Sequence, residues 1–224
     1  MDDRTGKGAG IALIISALMI TVTMVLHPVG GSIEHLRKIS GMIVMTHSLA
    51  LLSIPPMALG GWWVTKNLDP GTPLGLLAFV TFCTGLVAVM IAGAVNGLVV
   101  PLFLSRHPNI QPDELPNIQL ILQYGFSINR AMDYIFIVGC CISLTMWSLM
   151  ILRKKGVTFP TWLGYLGVLL CLTGVGSLAL KAELTSLMGF RVVIGGLVGW
   201  IVLAGYFLYR KSNFPADLKK RVDR

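Results

Sequence analysis

Charged residues are scarce in this chain of 224 residues: Asp, Glu, Lys and Arg together make up 12%, against about 25% in ordinary soluble domains. That scarcity excludes a conventional water-facing surface. The four cysteines (Cys83, Cys140, Cys141, Cys171) all lie in apolar stretches and form no CxxC, so they read as small buried hydrophobes. Cys140 and Cys141 are adjacent, hence on different helix faces, and do not make a redox pair. HxxxH is also missing. The first apolar run, Ile11 to Leu26, ends in "LHPVGG" without a small-x-small site, which makes it a retained transmembrane helix and not a cleaved leader. No internal repeat is visible, and no polar stretch is long enough for a soluble domain. Residues 1–224 therefore read as a single domain.

What is present is apolar sequence: 54% of the residues are hydrophobic. A hydrocarbon core of roughly 30 Å takes about 20 apolar residues per helix, and such stretches recur along the chain. The expected fold is all-α, a polytopic bundle of six transmembrane helices over about 8–27, 39–64, 73–104, 128–152, 161–180 and 191–209. Ser32 is expected to cap the second helical segment. Asp113 or Pro116 is expected to open a short surface helix leading into the fourth. In the second span, Pro55 and Pro56 withdraw two backbone donors from the carbonyls of Leu51 and Leu52, which predicts either a wet cavity beneath His47 or a merely bent helix. Gly93/Gly97, Gly195/Gly199, Gly164/Gly167 and Gly174/Ser177 fall at helical spacings that let backbones approach. Packing within the chain is their expected use, with homodimerisation as the alternative, and the oligomeric state stays open.

Six spans put both termini on one side. Twelve of the 18 Lys and Arg residues fall on the side of the termini, including Arg4, Lys7, Lys66, Arg153, Lys154, Lys155, Arg210 and Lys211. Trp62, Trp63, Trp162, Tyr206 and Tyr209 lie near the same ends, as an interfacial aromatic belt would. The positive-inside rule then makes both termini cytoplasmic. The net charge of +8 is an orientation signal, and membrane lipid, not nucleic acid, is the expected partner.

The polar residues gather on the opposite, outer side. His27 ends the first span, His47 lies about two turns into the second, Asn96 is near the end of the third, and His107 lies just beyond it. Asn129, Arg130 and Asp133 open the fourth, Lys181 and Glu183 end the fifth, and Arg191 opens the sixth. Asn129 and Asp133 are i,i+4, and Arg130 and Asp133 are i,i+3, so these side chains can meet along one helix flank. Ionisable groups inside a span face the bundle or water, and the expected partner of Asp133 is Arg130, Lys181 or Arg191. His35 is expected to be a solvated loop residue, and His27 and His47 to have different jobs.

Three functional readings follow. The first is a polar pocket open to the extracytoplasmic side, formed by His27, His47, Asn96, Asn129, Arg130, Asp133, Lys181 and Arg191, that binds a small molecule or a lipid headgroup and needs no cofactor. The second is an intramembrane enzyme with His47 and Asp133 as acid and base. The third is a redox protein holding a b-type haem or copper through His27, His47 or His107, since imidazole suits both. Met19, Met24, Met42 and Met45 could add thioethers. A transmembrane electron path calls for a second histidine pair near the inner face, and no histidine lies there.

The stretches "HPVGGSIEHLRKISGMIVMTHSLALLSIPPMALGGWW", "AVMIAGAVNGLVVP" and "WSLMILRKKGVTFPTWLGYLGVLL" resemble uncharacterised multi-pass inner-membrane proteins of bacteria, over most of the chain. The resemblance implies a bacterial inner-membrane location and carries over no catalytic residue.

Overall fold

The computed structural model of the protein describes residues 3–27, 30–154, 158–179 and 187–212. Eight α-helices follow one another: α1 (Asp3–Leu26), α2 (Ile33–Lys38), α3 (Ser40–Leu68), α4 (Pro73–Ala94), α5 (Val100–Ser105), α6 (Leu115–Lys154), α7 (Thr161–Ala179) and α8 (Leu187–Ser212). A π-helical segment, Val95–Val99, joins α4 to α5. No strand occurs among the described residues. The expected all-α class is therefore observed.

Five stretches are long and apolar enough to cross a membrane: Thr5–Leu26, Ser40–Leu68, Pro73–Ser105, Leu115–Lys154 and Met188–Lys211. Many large side chains point outward, Val25 (73% exposed) and Leu52 (66%) among them, an apolar exterior that soluble monomers rarely present. The expectation of six spans meets a difference at the fifth. Helix α7 reaches Ala179, but its described apolar part, Thr161–Gly174, is shorter than the roughly 20 residues a crossing takes.

The fourth span is longer than 128–152. Gln111 N–H bonds the Glu114 carboxylate at 3.0 Å, and Ile118 N–H bonds the Glu114 carbonyl at 3.1 Å, so the chain turns helical before Leu115. Pro116 sits in the first turn, where a missing N–H is harmless. Helix α6 then runs for 40 residues, about 60 Å at 1.5 Å per residue. Ser32 does act as an N-cap, accepting from His35 N–H at 3.2 Å, but it caps the separate short helix α2. His35 is exposed as expected, on that helix and not in a loop. Helix α3 stays helical through Pro55 and Pro56.

Small residues set the helix contacts. Gly10 of α1 meets the backbone of Gly205 in α8, Gly60 of α3 meets Leu13 of α1, and Gly139 of α6 meets Gly85 of α4. Ser143 Oγ donates to the Ala78 carbonyl at 2.7 Å across the same α4–α6 contact. Gly164 and Gly167 of α7 pack against Leu152 and Ser148 of α6. Gly195 and Gly199 face open space instead, so among the described residues they pack against no other helix. The main core centres on Trp147 and Trp200, stacked at 6.0 Å with planes 5° apart. Their indole N–H groups are satisfied by Thr65 Oγ1 at 2.9 Å and the Leu163 carbonyl at 3.0 Å. A second, smaller cluster of Leu36, Ile43, Val100, Leu104, Ile118 and Leu122 ties α2 and α5 to the N-terminal half of α6.

Candidate functional site

Antiparallel neighbours set the heights of the polar residues. Thr23 Oγ1 of α1 donates to the Thr46 carbonyl of α3 at 3.3 Å. Along the next contact, Gly93 packs on Leu51 and Gly97 on His47. Along the third, Gly85 packs on Cys140 and Gly125 on Val95 and Val100. Arg191 Nη2 of α8 reaches the His27 carbonyl at 3.5 Å. His27, His47, Asn96, Asn129 and Arg191 thus share one end of the bundle.

The histidines meet directly. The rings of His27 and His47 stand 5.0 Å apart between centroids, tilted by 59°. His47 is 7% exposed, and its Nδ1 lies 2.8 Å from the Ile43 carbonyl. A carbonyl only accepts, so Nδ1 carries a proton, and in the neutral ring Nε2 then keeps its lone pair. Thr46 Oγ1 lies 3.5 Å from the same Nδ1. The π-helical segment closes the other side: a Cβ on Gly97 would land on the Cβ and ring of His47. Asn96, next to it, has a buried Oδ1 with no hydrogen-bond partner. Pro101 is the sequence signal for this irregularity, because its missing N–H leaves the Gly97 carbonyl without its α-helical bond. π-Helical turns recur at functional sites.

Asp133 is buried, 9% exposed, and accepts from Asn129 Nδ2 at 2.8 Å. No ion pair from Arg130 or Arg191 to it is found among the described residues, and Lys181, the third expected cation, lies outside them. Nor is Asp133 hydrogen-bonded to His47, whose ring contacts are Ile43, Thr46 and His27. Arg130 lies on the exposed flank of α6, and Arg191 has a buried Nε without a hydrogen-bond partner. Lys181 and Glu183 lie outside the described residues.

His107 stands apart from the ring pair. Its Nδ1 donates to the Phe103 carbonyl at 2.9 Å, its ring packs on Phe103 at 4.6 Å, and its carbonyl accepts from the Arg37 guanidinium. Among the described residues no three His, Cys, Asp or Glu side chains converge as a metal site would require.

An apolar cavity of about 70 Å³ lies below this layer, lined by Met24, Leu51, Ser53, Phe136 and Ile194 among others. Its hydroxyls are occupied: Ser53 Oγ donates to the Ala50 carbonyl at 2.6 Å and Thr23 Oγ1 to the Met19 carbonyl at 3.0 Å. The space beneath His47 is thus mostly apolar in lining, which favours the second of the two expectations, a helix that passes through its prolines without a polar recess. A groove of about 440 Å³ opens between α1 and α8, with Arg191 in its wall, and shares Met24 and Ile194 with the inner cavity.

Comparisons with known protein families, with curated proteins and with solved structures return no match. The side chains alone carry the functional argument.

Proposed function

We propose that this chain is a six-helix protein of a bacterial inner membrane, with both termini cytoplasmic, that binds a membrane-resident amphiphile at its outer face. Helix α7 is the sixth span. The headgroup lies against Arg191, Asn96, His27 and His47, and the tail occupies the α1–α8 groove. The observation that carries this reading is the unpartnered Arg191 Nε in the wall of a groove of about 440 Å³ whose other lining is apolar apart from Thr21. A buried donor without an acceptor costs about 1–3 kcal/mol, and an acidic headgroup removes that cost. Met24 and Ile194, shared between groove and inner cavity, mark a lateral route from lipid. The unpartnered Asn96 Oδ1 is available to accept from a hydroxyl or ammonium group of the same headgroup.

Native mass spectrometry of the protein released from mixed phosphatidylglycerol and phosphatidylethanolamine vesicles tests this. Anionic lipid should be retained preferentially, and Arg191→Gln should abolish the preference. Equal retention of both lipids by the parent protein would sink the reading.

A second reading has one specific observation behind it. Two imidazoles at 5.0 Å, with a lone pair on His47 Nε2, suit a single first-row ion held at a bent angle. They do not suit a haem. Axial nitrogens on opposite faces of an iron are about 4 Å apart at bonds of roughly 2 Å, and the ring centroids stand farther apart still. With no third ligand of the His, Cys, Asp or Glu type among the described residues, copper(I) completed by a thioether is the ion this pair favours. Metal analysis of the parent and of His47→Ala decides it: copper bound in the first and absent from the second.

A further inference from the structure

Cys141 and Cys171 lie on α6 and α7, 30 positions apart, and the fold brings their thiols together. Cys171 Sγ donates to the Cys141 carbonyl at 3.2 Å. Thr145 Oγ1 donates to the same carbonyl at 2.8 Å. Both cysteines line a cavity of about 130 Å³ between α6, α7 and α8, comparable to the roughly 150 Å³ cavity that accepts benzene in another protein. Glycines make the room: Gly174 and Gly196 line it, and a Cβ on Gly174 would sit 3.4 Å from Cys141 Sγ. Its rim includes Thr173 and Val192, both exposed on the outside of the bundle. Cys140 turns the other way, into the small cavity beside Trp147 and Trp200.

We propose that Cys141 and Cys171 are a dithiol site that reduces organic hydroperoxides dissolved in the membrane. The rim opens on an apolar exterior, so an oxidant that partitions into lipid reaches the thiols more readily than a water-soluble one. Cys171 sulfur attacks the terminal peroxide oxygen, the O–O bond breaks, and the thiol proton leaves with the alkoxide as an alcohol. The sulfenic acid so formed is the reversible first step of thiol oxidation and condenses with a neighbouring thiol. Cys141 sulfur then attacks the sulfenic sulfur, the S–S bond forms, and hydroxide leaves with the Cys141 proton as water. Two thiols lose two electrons in all, and one hydroperoxide becomes one alcohol and one water. The product disulfide ties α7 to α6 and is returned to dithiol by an external thiol reductant through exchange.

The full chain carrying Cys83→Ser and Cys140→Ser, in lipid nanodiscs, is treated with tert-butyl hydroperoxide, alkylated and weighed intact. The expected result is loss of two hydrogens and of both alkylation sites, a Cys141–Cys171 linked peptide, and one equivalent of tert-butanol. Cys141→Ser should instead accumulate a dimedone adduct on Cys171, and Cys171→Ser should lose alcohol formation altogether. Hydrogen peroxide at equal concentration should oxidise the pair several-fold more slowly. Persistence of both alkylation sites after hydroperoxide treatment overturns the proposal. So does a disulfide to any other residue, or oxidation by hydrogen peroxide at the same rate. Thermal melting of each serine variant confirms that it is folded, and the parent double variant carries the test if one is not.

Discussion

Gly97 and His47 are in backbone-to-side-chain contact, and there is no space between them for even one methyl group. The π-helical segment holds Gly97 against α3 at this height, and the His47 ring is thereby pressed toward His27, 5.0 Å away. The ring pair is therefore a product of helix packing as much as of polar attraction.

Gly97→Ala should destabilise the protein by about 1–3 kcal/mol, the usual range for an extra methyl forced into a packed site. The obstruction involves the Cβ of His47 as well as its ring, so His47→Ala should not rescue it. Thermal unfolding of the single and double variants in detergent measures both. Full recovery in the double variant would place the obstruction at the ring alone.

Asp133 gives a prediction opposite to the one its neighbours in sequence imply. Were it paired with Arg130 or Arg191, removing it would strand a buried cation at about 3–5 kcal/mol. Among the described residues its partner is instead the neutral Asn129 amide, and a buried carboxylate without a cation is itself unfavourable. Asp133→Asn keeps an acceptor for Asn129 and should leave stability unchanged or raise it. Asp133→Ala should lose only about 1 kcal/mol, the net worth of an ordinary hydrogen bond. Denaturation that shows a loss above roughly 3 kcal/mol for Asp133→Asn would point to an ion pair.

The spans were legible because a run of some 20 apolar residues has few other uses. Their ends were less so. A helix opening at Asp113 or Pro116 was readable, and Glu114 does start one there, with Pro116 tolerated in its first turn; that it runs unbroken to Lys154 was not. The outer layer was legible as a height, since counting turns from helix ends places His27, His47, Asn96 and Arg191 alike. It was not legible as contacts, because the rotation of each helix about its axis depends on neighbours far away in sequence. Asp133 and His47 share an end of the bundle without a hydrogen bond between them, whereas Cys171, read as packing, donates to the Cys141 carbonyl. Gly195 and Gly199 have the spacing of a packing motif but face open space, for the same reason.

Topology is open to direct measurement. A cysteine reporter at Asn109 should be modified by an impermeant maleimide from outside intact cells, and one at Gly156 only after permeabilisation. The basis is the excess of Lys and Arg at the end that carries the Lys154–Asp69 pair and the Lys211–Thr158 bond. The reverse labelling pattern would invert the bundle and turn the His27–His47 layer toward the cytoplasm.

Two buried hydroxyls near the tryptophan stack should respond in opposite ways. Thr65 Oγ1 accepts from Trp147 Nε1 at 2.9 Å, deep in the core, where Thr65 is 0% exposed. Thr65→Val keeps the shape but orphans the indole N–H, so it should cost about 1–3 kcal/mol; Thr65→Ser should recover most of that. Ser148 is equally buried, but its Oγ has no partner, and it lies where a Cβ on Gly167 would fall. Removing an unsatisfied buried hydroxyl relieves a desolvation cost, so Ser148→Ala should be neutral or stabilising. Melting temperatures of the three variants, measured side by side in one detergent, separate the two cases. A drop for Ser148→Ala as large as that for Thr65→Val would mean that Ser148 has a hydrogen-bond partner in the membrane-embedded protein, most simply an ordered water.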